Sequence, residues 1–370
     1  MTAPPVPSIR KILVRVNNWI GDVVMITPSM RALRRRFPDA EITLLAKTWV
    51  LDALRGSPYC DRLLEYSRPG SHAGLAGRLR LIRELKKERF DLAVLFQKAF
   101  EAALFARAAG IPRRIGFRTD WRGWLLTDPI DEPGEGHHVE RFLRIAEALG
   151  CDTSDRRLSF HLDEASRDSA RRFLWATGSD GPVLRVAFHP GASKPPRAWH
   201  AERFAGVAAK LARRHGAKVL LLGGEGDRPA LESMAREIGP HAILPPVGQT
   251  VKEMAAVLER CHLLVCNDSG PMHVAVALRI PVVAVFGPGH PSRTGPYAGD
   301  RNFRVLYEAY PCSPCRQKFF EECVPAASGK PFCLEDISEE TVERACGEML
   351  AWAGAGGVSS GALFSERTSS

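Results

Sequence analysis

Short aliphatic runs alternate with amphipathic stretches along most of the chain. Residues 11–16 (Lys-Ile-Leu-Val-Arg-Val) read as a strand, followed by the turn Asn17-Asn18-Trp19-Ile20-Gly21-Asp22 and a helical pattern through Met30, Leu33 and Phe37. Pro38-Asp39-Ala40 breaks that helix, residues 41–46 supply the next strand, and residues 90–96 supply another after an intervening helix. Such alternation predicts a doubly wound parallel sheet. After the turn-rich stretch Gly178-Ser179-Asp180-Gly181-Pro182 the pattern restarts, with strands at 184–188, 218–222, 263–266 and 281–286. The expected organisation is therefore α/β, with one Rossmann-like domain over residues 1–178, a second over 179–350, and a Gly- and Ser-rich disordered tail over 351–370. Ligands of such sheets sit at the carboxyl ends of the strands, which two facing domains would turn toward a common cleft.

Of these junctions the stretch from His262 to Ala275 is the most informative. An apolar run enters Asn267-Asp268-Ser269-Gly270 and opens a helix, with Pro271 at what would be its first position. Unpaired backbone N–H groups and the positive end of the helix dipole suit a phosphate there. Asp268 or Ser269 could equally be an ordinary helix cap.

Composition narrows the partners. The chain has 370 residues and a formal net charge of +9, which favours a phosphorylated substrate, an anionic membrane surface or a nucleic acid. It has no zinc-finger spacing and no basic stripe interleaved with aromatics, so nucleic acid is not expected. No window approaches the ~20 apolar residues of a membrane span, and Met1-Thr2-Ala3-Pro4-Pro5-Val6-Pro7 lacks a signal-peptide core, so a cytoplasmic location is expected. Leu75, Leu79, Ile82 and Leu85 recur at helical spacing among Arg78, Arg80, Arg83, Lys86, Lys87 and Arg89, a helix whose basic side could steer toward an anionic membrane.

Five of the nine cysteines (Cys60, Cys151, Cys261, Cys266 and Cys346) are scattered in apolar settings and read as small core residues. Cys312, Cys315, Cys323 and Cys333 form a cluster that fits either a zinc or iron–sulfur site or reduced structural thiols; no second tight pair decides between them.

Four constellations fall at predicted strand ends: Gly21-Asp22, Lys194 to Trp199, Gly223 to Asp227, and Asn267 to His273. Asp22 reads as a helix cap or as a general base. Lys194 and Arg197 would aim cations at the same cleft. Together with Ala109-Gly110-Ile111-Pro112-Arg113-Arg114-Ile115-Gly116-Phe117, these segments resemble glycosyltransferase family 9, the ADP-heptose:lipopolysaccharide heptosyltransferases, most closely the heptosyltransferase II branch. The resemblance spans roughly residues 10 to 347.

It implies a GT-B fold, acceptor binding mainly by the first domain, ADP-heptose binding by the second, inversion at the anomeric carbon, and no required cofactor or metal. By motif position Asp22 would be the catalytic base. Arg197, where the family commonly has Lys, would neutralise the leaving diphosphate. Lys194, Asp268, Ser269, Gly270 and His273 would hold the nucleotide sugar, with Glu225 or Asp227 on its hydroxyls. The acceptor implied is the phosphorylated, Kdo-bearing inner core of lipid A already carrying one heptose, with Asn18, Trp19, Gly21, Arg113 and Arg118 as its expected contacts and Arg34, Arg35, Arg36 and Arg114 as further basic candidates. Other readings are a family 9 transferase with another acceptor or donor sugar, and a non-catalytic nucleotide-sugar-binding protein. A nucleotide-dependent oxidoreductase is disfavoured because the first turn carries a single Gly rather than G-x-G-x-x-G.

Overall fold

A computed structural model describes residues 9–354 except 69, 298–301, 316 and 322. The expected tail lies outside the described residues from 355 onward, whereas residues 351 and 352 complete the helix Glu339–Trp352. Two compact units divide the chain, Met1–His161 and Leu162–Ser370. The division comes before helix Glu164–Ala176 rather than at the Gly-rich turn after it. That helix packs on helix Val251–Glu259 through a forked Arg167–Glu259 pair (2.9 and 3.0 Å), and its cap Asp163 takes an ion pair from the buried Lys252 (2.7 Å).

In the first unit the strands are β1 (Lys11–Arg15), β2 (Glu41–Ala46), β3 (Arg62–Glu65), β4 (Leu92–Leu95), β5 (Arg113–Phe117) and β6 (Asp128–Ile130), all parallel in the order β3-β2-β1-β4-β5-β6. In the second they are β7 (Arg185–His189), β8 (Lys218–Leu221), β9 (Ala242–Ile243), β10 (Leu263–Asn267), β11 (Val282–Phe286) and β12 (Phe303–Tyr307), all parallel in the order β12-β11-β10-β7-β8-β9. Both orders are one Rossmann topology, with the switch point between β1 and β4 in one unit and between β7 and β10 in the other.

Strands β7, β10 and β11 are buried along their whole length, as helices on both faces of a parallel sheet require. These are among the strands that stand out as continuous apolar runs. Five others do not. β3, β6, β9 and β12 are sheet edges, short or half exposed, and β5 opens on two arginines.

The continuous helix expected after the first turn is two helices, Ile20–Met25 and Thr27–Arg36, joined at Ile26. Pro28 opens the second helix without an N–H to extend the first, and Thr27 Oγ1 donates back to the Val24 carbonyl at 2.7 Å. Helix Gly74–Glu88 buries Gly77, Leu81 and Leu85, while Leu75 and Leu79 of the expected apolar face are exposed. Gly77 sets that rotation: a Cβ there would collide with the backbone of His72.

One joint of the second unit depends on a neutral histidine. His262 Nδ1 accepts the N–H of Arg185 at 3.1 Å, and burial, aided by the charge of Arg185, pushes the imidazole pKa below its usual value. The unfolded chain takes up this proton below about pH 6.5. Stability from the contact is therefore present above that pH and lost as pH falls toward the folded-state pKa. Paired carboxylates such as Asp163, held well below the usual range, act only in more acid solution. Thermal unfolding should show Tm falling between about pH 7 and pH 5.5, with His262→Asn reducing the slope while its amide oxygen keeps the acceptor; an unaltered slope would exclude this source.

Candidate active site

In the first unit the carboxyl ends of β1 and β4 border a cavity of about 250 Å3 lined by Asn17, Asn18, Trp19, Asp22, Gln97, Lys98, His138, Arg141 and Phe142. It occupies the topological switch point. Asp22 lies in the first turn of helix Ile20–Met25. The N-cap there is Trp19, which makes no side-chain capping bond. His138 Nδ1 lies 3.9 Å from Asp22 Oδ1.

Lys98 and Arg141 both ion-pair with Glu132 beside this cavity. Burial, and then the charge of Arg141, push the Lys98 pKa down to about 8, against the pull of Asp22. The site thus combines a carboxylate with two cations and a histidine.

Buried arginines hold its walls. Arg15 donates to the carbonyls of Val16 (2.7 Å) and Leu45 (3.1 Å) and to Asn18 Oδ1 (3.1 Å), and burial lowers its pKa to about 10. Arg122, fully buried, donates to the Phe117 carbonyl (2.8 Å) and the Gln97 carbonyl (2.6 Å), fixing the turn that carries Lys98. Lys98, Arg141, Arg15 and Arg122 were not singled out from the sequence. Lys98 carried a readable signal, because Gln97-Lys98 follows its strand as Gly21-Asp22 follows β1.

Of the expected acceptor contacts, Asn18 and Trp19 line this cavity and Gly21 is buried behind it. Arg118 follows β5 at the same end of the sheet and pairs with Asp131 (2.9 Å). Arg113 begins β5 and pairs with Asp128 (2.9 Å), which puts it at the opposite end of the strands. Arg34 pairs with Asp61, Arg35 with Asp155 (3.3 Å), and Arg114 donates to the Leu125 carbonyl (2.7 Å).

In the second unit the organising residue is Asn267, fully buried at the end of β10. Its Nδ2 donates to the Pro190 carbonyl (2.7 Å) and its Oδ1 accepts the Trp199 N–H (2.9 Å), tying the ends of β7 and β10 to the turn that carries Arg197. Trp199 is itself buried, with Nε1 donating to the Ile337 carbonyl at 3.1 Å. Arg197 ion-pairs with Asp268, donates to Ser193 Oγ (3.2 Å), and has a buried Nε without a hydrogen-bond partner. Ser269 Oγ lies 3.3 Å from His189 Nδ1, and burial keeps His189 below the usual histidine pKa.

Both Asp268 and Ser269 therefore make side-chain contacts other than a cap, and Ser269, the N-cap of helix Gly270–Ala277, makes no capping bond. The helix opens on Gly270 with Pro271 behind it, and His273 is buried in its first turns. Gly289 belongs to the same construction, since a Cβ there would collide with the Asp268 carboxylate. In the turn after β8, Asp227 accepts the Gly224 N–H (2.9 Å) and abuts Gly191, whereas Glu225 is exposed. Lys194 stands with Nζ 5.6 Å from the Phe319 ring centroid.

Cys312, Cys315, Cys323 and Cys333 line one further cavity in this unit, and burial pushes the Cys333 thiol up to about 11. Among the described residues, no group of three or more His, Cys, Asp or Glu side chains stands ready to hold a metal ion.

The sequence profile of glycosyltransferase family 9 (heptosyltransferase) matches residues 78–323. Lipopolysaccharide heptosyltransferase 2 of Salmonella typhimurium is 29% identical over 310 residues, covering 77% of this chain and 85% of its own. The protein of that name from Escherichia coli is 29% identical over 301 residues, with the same coverage. Among solved structures, a family 9 glycosyl transferase from Veillonella parvula superposes with a TM-score of 0.82 at 26% identity, over 95% of this chain and 99% of that one. The E. coli ADP-heptose lps heptosyltransferase II superposes with a TM-score of 0.76 at 24% identity, over 93% and 99%. With these structures the chain shares the GT-B fold of two parallel-sheet units. An enzyme with a carboxylate at one switch point and a cation at the other, the chain belongs to glycosyltransferase family 9.

Proposed function

We propose that this chain transfers heptose from ADP-L-glycero-β-D-manno-heptose to heptosyl-Kdo2-lipid A, inverting the anomeric centre and requiring no metal. The observation that carries the reading is Asp22, a carboxylate free of capping duty in a switch-point cavity it shares with Lys98, Arg141 and His138. The names of the relatives support the donor and acceptor classes.

In this reading Asp22 takes the proton of the acceptor hydroxyl as its oxygen attacks the anomeric carbon. The bond from that carbon to the diphosphate oxygen breaks, and ADP leaves with the electron pair. Attack opposite the leaving group inverts the centre. Arg197 and the opening of helix Gly270–Ala277 stabilise the charge that grows on the diphosphate, the task a metal performs elsewhere. The diphosphate competes with Asp268 for the Arg197 fork. With Asp227 engaged in its own turn, Glu225 is the carboxylate left for the hydroxyls of the donor. Lys98 and Arg141 meet the acid groups of the acceptor, assisted by Asn18, Trp19, Gly21 and Arg118. Arg113, at the other end of the strands, is left out of this set.

The net charge of +9 steers the enzyme to the anionic cytoplasmic face of the inner membrane, where such an acceptor resides. No described helix is long and apolar enough to cross a membrane. Binding to anionic vesicles should be weak and should vanish with salt; binding indifferent to salt would count against steering.

Acceptor-dependent ADP release in EDTA tests the reaction directly, and release that stops with the chelator and returns with added magnesium would remove the metal-free step. Asp22→Asn should lower kcat by about two to four decades with donor affinity unchanged; near-normal turnover in the folded variant would discard Asp22 as the base. Arg197→Ala should cost about two to three decades in kcat, with partial recovery in Arg197→Lys.

A further inference from the structure

We propose that Cys312, Cys315, Cys323 and Cys333 form a tetrathiolate site for one thiophilic divalent ion, zinc or iron(II), which fastens the segment after β12 to the second unit. The four thiols line a single cavity of about 240 Å3. They arrive from separate points along the segment, so their convergence is a property of the fold rather than of sequence proximity. Cys312 and Cys315 have the two-residue separation common to thiolate metal sites. Cys315 Sγ accepts the backbone N–H of Gln317 at 3.2 Å, which fixes its place on the cavity wall. The remaining wall is largely apolar, built from Pro288, Phe319, Val324, Pro331 and Phe332. Cys333 and Ser313 form its buried floor, and Cys312, Val324 and Phe332 its exposed rim.

One side of the site is already anchored. Ser313 Oγ donates to the Gly287 carbonyl (2.9 Å) and the Cys315 N–H to the Pro288 carbonyl (3.2 Å), both just beyond β11. No three of the thiols stand ready to ligate as they are. Neutral thiols have no mutual attraction to draw them closer; gathering them is the step that ion binding drives. Four thiols lose four protons to solvent and bind one divalent ion through four sulfurs, with no change of oxidation state and a residual charge of −2. Lys318, on the cavity wall, offsets part of that charge.

The segment also touches the turn that carries Arg197. Phe319 lies against Lys194, and Lys330 Nζ donates to the Pro195 carbonyl at 3.3 Å. An ion at the cysteines would thereby stiffen the Lys194–Arg197 turn. This consequence rests on the donor-binding reading above; the presence of the ion does not.

The full chain, purified without chelator, should carry about one zinc or iron per molecule by elemental analysis; iron would also show thiolate-to-metal absorption. A mercurial reagent should release one ion as it caps the four thiolates as mercaptides. Cys315→Ser and Cys323→Ser should each weaken retention by more than the roughly 10–100-fold lost with an outer-sphere partner, whereas Cys60→Ser, in the first unit, should leave it unaltered. A metal-free chain that also fails to take up zinc or iron(II) added alone overturns the proposal, even if the cysteine variants do not fold. Metal content is independent of turnover, so an inactive but metal-loaded chain would overturn only the catalytic reading.

Discussion

A parallel sheet runs out of hydrogen-bond partners just beyond its last ladder bond, and both sites of this enzyme are built there. Buried side chains supply the missing bonds. Arg15 and Arg122 bind carbonyls just past β1 and β4 and in the last residues of β2 and β5, and Asn267 joins the ends of β7 and β10 to the Trp199 turn. A net hydrogen bond is worth about 0.5–1.5 kcal/mol, but a buried partner left unsatisfied costs about 1–3 kcal/mol. Loss of Asn267 would leave more than one such group. These residues therefore hold the turns that carry Lys98 and Arg197 and the end of the strand before Asp22.

The two units meet different electrostatic demands with the same framework. Asp22 in the first unit shares its cavity with His138, Lys98 and Arg141, so one carboxylate stands among basic side chains. In the second unit Asp268 engages Arg197 and the Ser269 hydroxyl lies beside neutral His189, so the opening of helix Gly270–Ala277 is left without a side-chain cap. An occupied cap would have used donors that an anion can take.

Much of this was legible in the sequence, for identifiable reasons. Central strands buried on both faces are largely apolar, so β1, β2, β4, β7, β8, β10 and β11 are conspicuous, and so are the turns that follow them. Edge strands face water on one side and lose that signature, which is why β3 and β12 are silent. The division between the units was obscured because helix Glu164–Ala176 is assigned by Arg167–Glu259, a pair separated by 92 residues. Arg113 shows the limit of motif reasoning: adjacency to a family segment says nothing about which end of a strand a side chain occupies. Arg122 was hidden because an arginine in a polar loop gives no sign that it will be fully buried.

The two sheets share one strand order, so β1 corresponds to β7 and β4 to β10. At the first switch point the acid follows β1 and the cation, Lys98, follows β4; at the second the cation, Arg197, follows β7 and the acid, Asp268, follows β10. The polarity of the pair is reversed on an unchanged scaffold. The side chains at these strand ends contribute little to the sheet that presents them, so their charges can be exchanged without refolding it. A repeated module of this kind can diverge into halves that present opposite charges at equivalent places.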